Sequence, residues 1–483
     1  MRRRVLVALV PALALAGCMV GPDYVRPTTT APDAYKEMMK GWKQAEPRDA
    51  IARGKWWEIF GDPELDALAE RVDISNQNIR AAEANFRLAR GLADQARAAL
   101  FPVVSAGVSA TRSVSPSLPN QPTLTRDPVN NFSLVANASW VIDLWGGIRR
   151  NIESGEANWQ ASAAQLELAR LSAQSTLAVD YFAVRIADAQ RDILEQTVAA
   201  FAETLQLTKN RYAAGVAAKA DVVQAEVQWK STQAQLVDVG VARAQFEHAI
   251  AVLVGEAAPT FSIPRAPIVA TMPEIPVGVP SELLERRPDI AAAERTVAAA
   301  NAQIGVAKAA FFPTLTLSAS GGYRSTTVAD WLTSPSQFWS IGAALAQAVF
   351  DGGLRLAVSD QAKATYDGQV AQYRQTVLTA FQQVEDNLAA LRLLAEEAQL
   401  LDEAVKGARQ SVELTTNQYK AGIVSYINVI AAQTIALNNE SNAVNVLGRR
   451  FAASVLLVQA LGGGWDARSL DAIGLSRSAA ARE

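Results

Sequence analysis

Few residues of this 483-residue chain could do covalent chemistry. It holds one cysteine, Cys18, and one histidine, His248. A Cys/His zinc site and a disulfide framework are therefore excluded. A histidine-based catalytic triad would have to use His248 alone. That residue lies at helical spacing among Phe246, Ile250 and Leu253, and reads as a packed side chain rather than a catalyst. No phosphate-cradling loop and no paired-carboxylate site stands out. The residues therefore imply no enzyme, no cofactor and no metal. Lys plus Arg is 45 against 48 Asp plus Glu, a net charge of -3, and 50% of residues are apolar. That balance excludes a disordered chain and a polybasic nucleic-acid binder.

The chemistry left to Cys18 is acylation. Arg2, Arg3 and Arg4 precede an apolar run from Val5 to Ala16, the pattern of a secretory signal peptide, too short for a membrane-spanning helix. The run ends in Leu15-Ala16-Gly17-Cys18, which resembles the bacterial lipobox. Residues 1–17 are expected to be removed and Cys18 to be lipidated, each buried lipid CH₂ contributing ~0.8 kcal/mol to anchoring. Met19 follows in place of Asp, which for such lipoproteins implies sorting to the outer membrane.

The elements that follow occur twice. Ile79-Arg80-Ala81-Ala82-Glu83 answers Ile290-Ala291-Ala292-Ala293-Glu294, and Phe101-Pro102 answers Phe312-Pro313. Gly146-Gly147-Ile148-Arg149 answers Gly352-Gly353-Leu354-Arg355, and Tyr212-Ala213-Ala214-Gly215 answers Tyr419-Lys420-Ala421-Gly422. Five ordered matches, with Val254-Gly255 against Leu461-Gly462 as the last, make this an internal tandem duplication. Seven prolines between Pro259 and Pro288 mark an extended linker between the copies. The organisation expected is a signal peptide at 1–17, a lipidated extended segment at 18–60 and a first repeat at 61–258. The linker at 259–288, a second repeat at 289–465 and a tail at 466–483 follow.

Within each copy two strands come first. Val104, Ala106, Val108 and Ala110 alternate with Ser105, Gly107, Ser109 and Thr111. The same period of two predicts strands near 131–143, 314–325 and 338–350, each with an apolar face and a face of small or polar residues. Their lengths suit tilted transmembrane strands. Trp140, Trp339 and Tyr323 would be girdle aromatics at the membrane interface. A soluble sandwich is the competing reading. Four strands cannot close a barrel, so a barrel must be shared between copies; two or three copies both fit the count.

Long proline-free spans follow the strands, with apolar residues stepping by three and four. From Arg149 to Arg211 one helix would run ~95 Å. Tyr212-x-x-Gly215 and Tyr419-x-x-Gly422 interrupt the pattern, and glycine there can close a helix in a left-handed cap. Each copy thus ends in a long helical hairpin, with tips near 212–221 and 419–428. Arg286-Arg287 reads as a helix C-terminal pair beside the macrodipole.

Four segments carry a family resemblance. They are Cys18-Met19-Val20-Gly21-Pro22-Asp23-Tyr24-Val25-Arg26-Pro27, Trp56-Trp57-Glu58-Ile59-Phe60-Gly61-Asp62-Pro63-Glu64-Leu65, Leu283-Leu284-Glu285-Arg286-Arg287-Pro288-Asp289-Ile290 and Leu461-Gly462-Gly463-Gly464-Trp465. With them the chain resembles the outer-membrane factors, TolC-like ducts, and among these the OprM- and NodT-type lipoproteins of efflux systems. The resemblance implies a mixed α and β membrane protein. Four strands per protomer would make a twelve-stranded outer-membrane β-barrel in a homotrimer, continuous with a long periplasmic α-helical barrel. It implies passive export of drugs or other small toxic compounds, with a periplasmic adaptor (a membrane fusion protein) and an inner-membrane RND transporter as partners. Type I secretion with an ABC transporter and heavy-metal efflux are the alternatives within the class; a non-conducting envelope tether lies outside it.

The resemblance also implies a periplasmic gate at the hairpin tips. The positions eight, nine and twelve beyond the second tip tyrosine are Ile427, Asn428 and Ala431. Neither of the last two is acidic, and Val424 stands where some members carry a latching arginine. In the first copy Asp221 is the counterpart of Asn428; it reads as a helix cap or as a gate acid. Tyr212, Gly215, Tyr419 and Gly422 are the candidate adaptor-docking residues. Asp143, Gly146, Gly147, Asp351, Gly352 and Gly353 are the candidate turns from barrel to helix.

Overall fold

Helix initiation is written locally. Asp62 N-caps α1 (Pro63–Ser75), its carboxylate accepting the Glu64 and Leu65 N–H groups, with Pro63 in the first turn. Asn76 then receives Asn78 N–H and Ile79 N–H at the start of α2 (Gln77–Ala98). The strands are β1 (Val103–Ser113) and β2 (Val129–Ile142). Two helices close the first copy, α3 (Gly147–Ala213) and α4 (Lys219–Leu253). The second copy repeats the order with α5 (Pro288–Ala309), β3 (Thr314–Ser325), β4 (Gln337–Ala346), α6 (Leu354–Lys420) and α7 (Tyr426–Ala460). α3 and α6 have 67 residues each, and α4 and α7 have 35 each, so the duplication is preserved residue for residue in the hairpins.

This is a computed structural model, and it describes residues 19–29, 32, 34–37, 55–114, 128–273, 275 and 286–465. The signal segment, Cys18 and the tail 466–483 lie outside the described residues. The chain divides into two units, one formed by residues 1–28, 86–162 and 293–373, the other by 29–85, 163–292 and 374–483.

The first unit holds one antiparallel sheet in the order β1-β2-β3-β4. Its register keeps like residues together. Val104 faces Ala138, Ala138 faces Ala319 and Ala319 faces Ile341. On the other face Ser105 meets Asn137, Asn137 meets Ser320 and Ser320 meets Ser340. Ser109 and Ser133 hydroxyls lie 2.7 Å apart, and those of Ser320 and Ser340 2.8 Å apart. The apolar face runs from the Ile142–Leu315–Leu345 row to Phe132, five two-residue steps that span about 25 Å at a usual barrel tilt. That matches the hydrocarbon band of an outer-membrane barrel. β4 ends at Ala346, so Val349 and Phe350 stand beyond the sheet and are almost fully exposed.

An N-terminal strap is tied along the same unit. Asp23 pairs with the buried Arg150 at 2.8 Å, and Asn301 donates to the Pro22 carbonyl. The Tyr24 hydroxyl donates to Glu294. Val20 N–H reaches the Trp145 carbonyl.

The second unit holds the main apolar core. Trp56, Trp57 and Phe60 are buried, and Phe182 stacks on Phe451 with centroids 4.4 Å apart. Beside this core lies a buried ionic network. Arg185 donates to Asp188, Tyr181 and the Pro264 carbonyl, and Arg243 reaches Asp188 at 2.6 Å and the Ile263 carbonyl at 2.7 Å. The described part of the linker is therefore extended but held by α3 and α4. Arg286 is helical, and Arg287 stands between it and the start of α5. Arg287 pairs with Asp289 and donates to the Ala460 carbonyl, so its charge serves the C-terminus of α7. His248 is exposed, not packed. Two residues from Phe246 or Ile250, it is turned about 200° away from each around the helix.

Candidate functional site at the hairpin tips

Both tips end in the same motif, built by the Tyr-x-x-Gly spacing. At the first, Val216 N–H bonds the Arg211 carbonyl and Gly215 N–H the Tyr212 carbonyl, each at 2.9 Å. At the second, Ile423 N–H bonds Gln418 and Gly422 N–H bonds Tyr419. This crossed pair requires a left-handed residue, and Gly215 and Gly422 adopt φ of 73° and 78°.

The two tyrosines differ. Tyr212 is exposed, with the Lys219 ammonium 5.5 Å above its ring. Tyr419 is buried in a small tip core with Leu205, Val222, Ala225, Tyr426 and Val429. Val424 packs against that core. The Arg211 guanidinium lies 4.7 Å from the Tyr419 ring centre and donates to the Lys420 carbonyl. The first hairpin thus clasps the second. Burial, with Tyr419 and Asp221 nearby, pushes the Tyr426 phenol up to about 12.

Ile427, Asn428 and Ala431 share one exposed face of α7, continued by Ile435, while Tyr426, Val429 and Ala432 turn inward. Asn428 donates to the Ser425 hydroxyl at 3.2 Å. Asp221 stands at the third position of α4, and its carboxylate accepts the Ala218 N–H at 3.2 Å. It caps its helix, and it remains half-exposed.

The turns below the sheet belong to the other unit. Asp143 accepts the Ile148 and Arg149 N–H groups and pairs with the Arg149 guanidinium at 3.2 Å. Asp351 does the same for Arg355, at 2.5 Å, and this guanidinium holds its carboxyl below the usual range. The pairing survives although Leu144 and Trp145 have no counterpart in the second copy. Gly146 is left-handed, and a Cβ there would strike Met19. Gly147 approaches Ala309, whereas Gly352 and Gly353 are needed for positive φ alone. Trp145 stacks on Phe312 and donates to the Pro313 carbonyl, which makes the repeated Phe-Pro the seat of the first turn.

Arg211 and Tyr426 were not singled out by the sequence. Arg211 could have been, as the cation in the last turn of α3 immediately before the tip tyrosine.

A sheet with one dry and one hydroxyl-rich face, joined in sequence to paired long helical hairpins, is the build of an outer-membrane channel protomer. The family model described as outer membrane efflux protein matches residues 68–256 and 279–463, once per copy, and the chain belongs to that family. It is 32% identical over 470 residues to the pyoverdine export outer membrane protein OpmQ of Pseudomonas aeruginosa, covering 96% of this chain and 97% of that one. It is 30% identical over 458 residues to the toluene efflux pump outer membrane protein TtgI of Pseudomonas putida, covering 94% and 97%. Among solved structures, the outer-membrane channel OprN superposes with a TM-score of 0.85 at 31% identity over 93% of this chain and 100% of that one. The open state of the Neisseria gonorrhoeae MtrE outer membrane channel superposes with a TM-score of 0.82 at 26% identity, over 93% and 99%.

Proposed function

We propose that three copies close a twelve-stranded barrel, and that the trimer is the passive exit duct of a tripartite pump for drugs or other small toxic compounds. The observation that carries this is the sheet. It has two faces of opposite polarity and, among the described residues, two unpaired edges, the outer sides of β1 and β4. Edges in a bilayer must be paired, so copies of the same sheet are the natural partners. Three rather than two leave a lumen that a solute can pass. Lipidated Cys18, one residue from the Met19 contact at Gly146, would anchor the strap in the inner leaflet. Ile427, Asn428, Ala431 and Asp221 form the gate, and Tyr212, Gly215, Tyr419 and Gly422 the adaptor-docking tips.

A periplasmic adaptor and a proton-driven RND transporter are the expected partners. Relatives named for toluene, solvent and antibiotic efflux favour small-molecule cargo. Ala217→Cys beside the first tip offers a single free thiol when Cys18 is acylated. Crosslinking in living cells should capture an adaptor together with an RND transporter. Capture of an ABC transporter would move the reading to type I secretion, and a metal-specific pump to metal efflux. A purified protein that stays electrically sealed even as Ile427→Gly would sink the duct altogether.

A further inference from the structure

The hydroxyl-rich face of the sheet is almost uncharged. Along β1, β2, β3 and β4 its residues are Ser, Thr, Asn, Gly, Ala, Val and Phe, with one exception, Arg324. Arg324 is the penultimate residue of β3, opposite Ser133, at the end of the sheet that carries the β1–β2 and β3–β4 connections. It is exposed, and among the described residues no carboxylate pairs with it. Its guanidinium lies 5.1 Å from the centre of the Phe338 ring, a cation–π contact that uses none of its N–H donors on a carboxylate. Asp330, the acid of the β3–β4 connection, is turned into its own loop, where its carboxylate accepts Thr327 and its carbonyl accepts Thr333 and Ser336.

We propose that Arg324 forms an anion-selecting belt just inside the outer mouth of the duct, a site for carboxylate- or phosphate-bearing solutes on their way out. This rests on the trimeric duct, which brings three copies of Arg324 around one lumen. On a wall with no acid of its own, three cations set the sign of the potential, and a narrow low-dielectric passage focuses it. The fork geometry suits bidentate carboxylate or phosphate. Arg112 is the contrast. Paired with Asn130, it lies on the apolar face and cannot reach the lumen.

The test is reversal-potential recording across a KCl gradient on the full lipidated protein, opened by Ile427→Gly, with citrate as the probe anion. Arg324→Glu should swing the reversal potential towards potassium, and Arg324→Gln should weaken block by citrate from the loop side about tenfold. Arg112→Gln should change neither. A conducting channel whose selectivity and citrate block are the same with arginine, glutamine or glutamate at 324 would overturn the belt while leaving the duct intact. Absence of current in every variant would instead overturn the duct, and the belt with it.

Discussion

The Arg211 guanidinium rests 4.7 Å from the centre of the Tyr419 ring and donates to the Lys420 carbonyl, so one cation ties the tips of the two repeats together. A contact of this kind contributes about 1 kcal/mol, which is roughly fivefold in a two-state equilibrium. Arg211→Ala should raise the closed-state current and the entry of a normally excluded antibiotic by about that factor. Leak equal to the wild type would show that the clasp does not hold the tips.

Two glycines should respond differently to the same change. Gly215 is left-handed but faces open space, so Gly215→Ala should cost about 1 kcal/mol. Gly462 is left-handed too, and a Cβ there would sit 2.0 Å from the Arg286 carbonyl oxygen. Gly462→Ala should therefore abolish assembly in the membrane. Equal melting temperatures for the two variants would contradict this.

Asp188 holds two guanidiniums, Arg185 and Arg243, in a site where Asp188 and Arg185 are nearly inaccessible. Asp188→Ala takes one carboxylate from each arginine, leaving Arg185 with Glu64 and Arg243 with Glu247, and should cost about 1–3 kcal/mol in denaturant unfolding. A change under about 1 kcal/mol would mean that water reaches the network.

Burial pushes the Asp180 carboxyl up to about 6. The folded state thus binds this proton more tightly than the unfolded state does. Its contribution to stability is fully present below the ordinary carboxylate range and is lost as pH rises through about 6. Asp180→Asn should stabilise the protein at pH 7 by about 1 kcal/mol, allowing for the screening of a half-buried group. It should also flatten the stability profile between about pH 4 and 6. A variant with the wild-type profile would refute the assignment.

What was legible in the sequence is what is local or repeated. Alternation at Val104–Ala110 and Leu315–Leu317 reports strands, because period two is a property of consecutive residues. Tyr-x-x-Gly reports the tips, because a left-handed glycine is needed at a fixed distance from the helix end. Contacts between distant segments leave no such trace. Arg185 meets Pro264 and Arg211 meets Tyr419 across 79 and 208 residues, and nothing in their neighbourhoods names the partner. His248 is exposed although apolar residues two positions away on both sides resemble a buried stripe, because the residue between them points elsewhere on the helix. Arg287 follows the helical Arg286 as its spacing suggests, but the carbonyl it donates to, Ala460, ends a helix from the far end of the chain, which local sequence does not name.

The central claim is that the free edges of β1 and β4 pair between copies. Cysteine pairs test it directly, with Val104→Cys, Ala106→Cys or Val108→Cys in β1 against Trp339→Cys, Ile341→Cys or Ala343→Cys in β4. Oxidised in native membranes, at least one pair should give a covalent ladder of one, two and three chains that stops at three. No crosslink from any pair, or a ladder that ends at two or continues beyond three, would contradict the account.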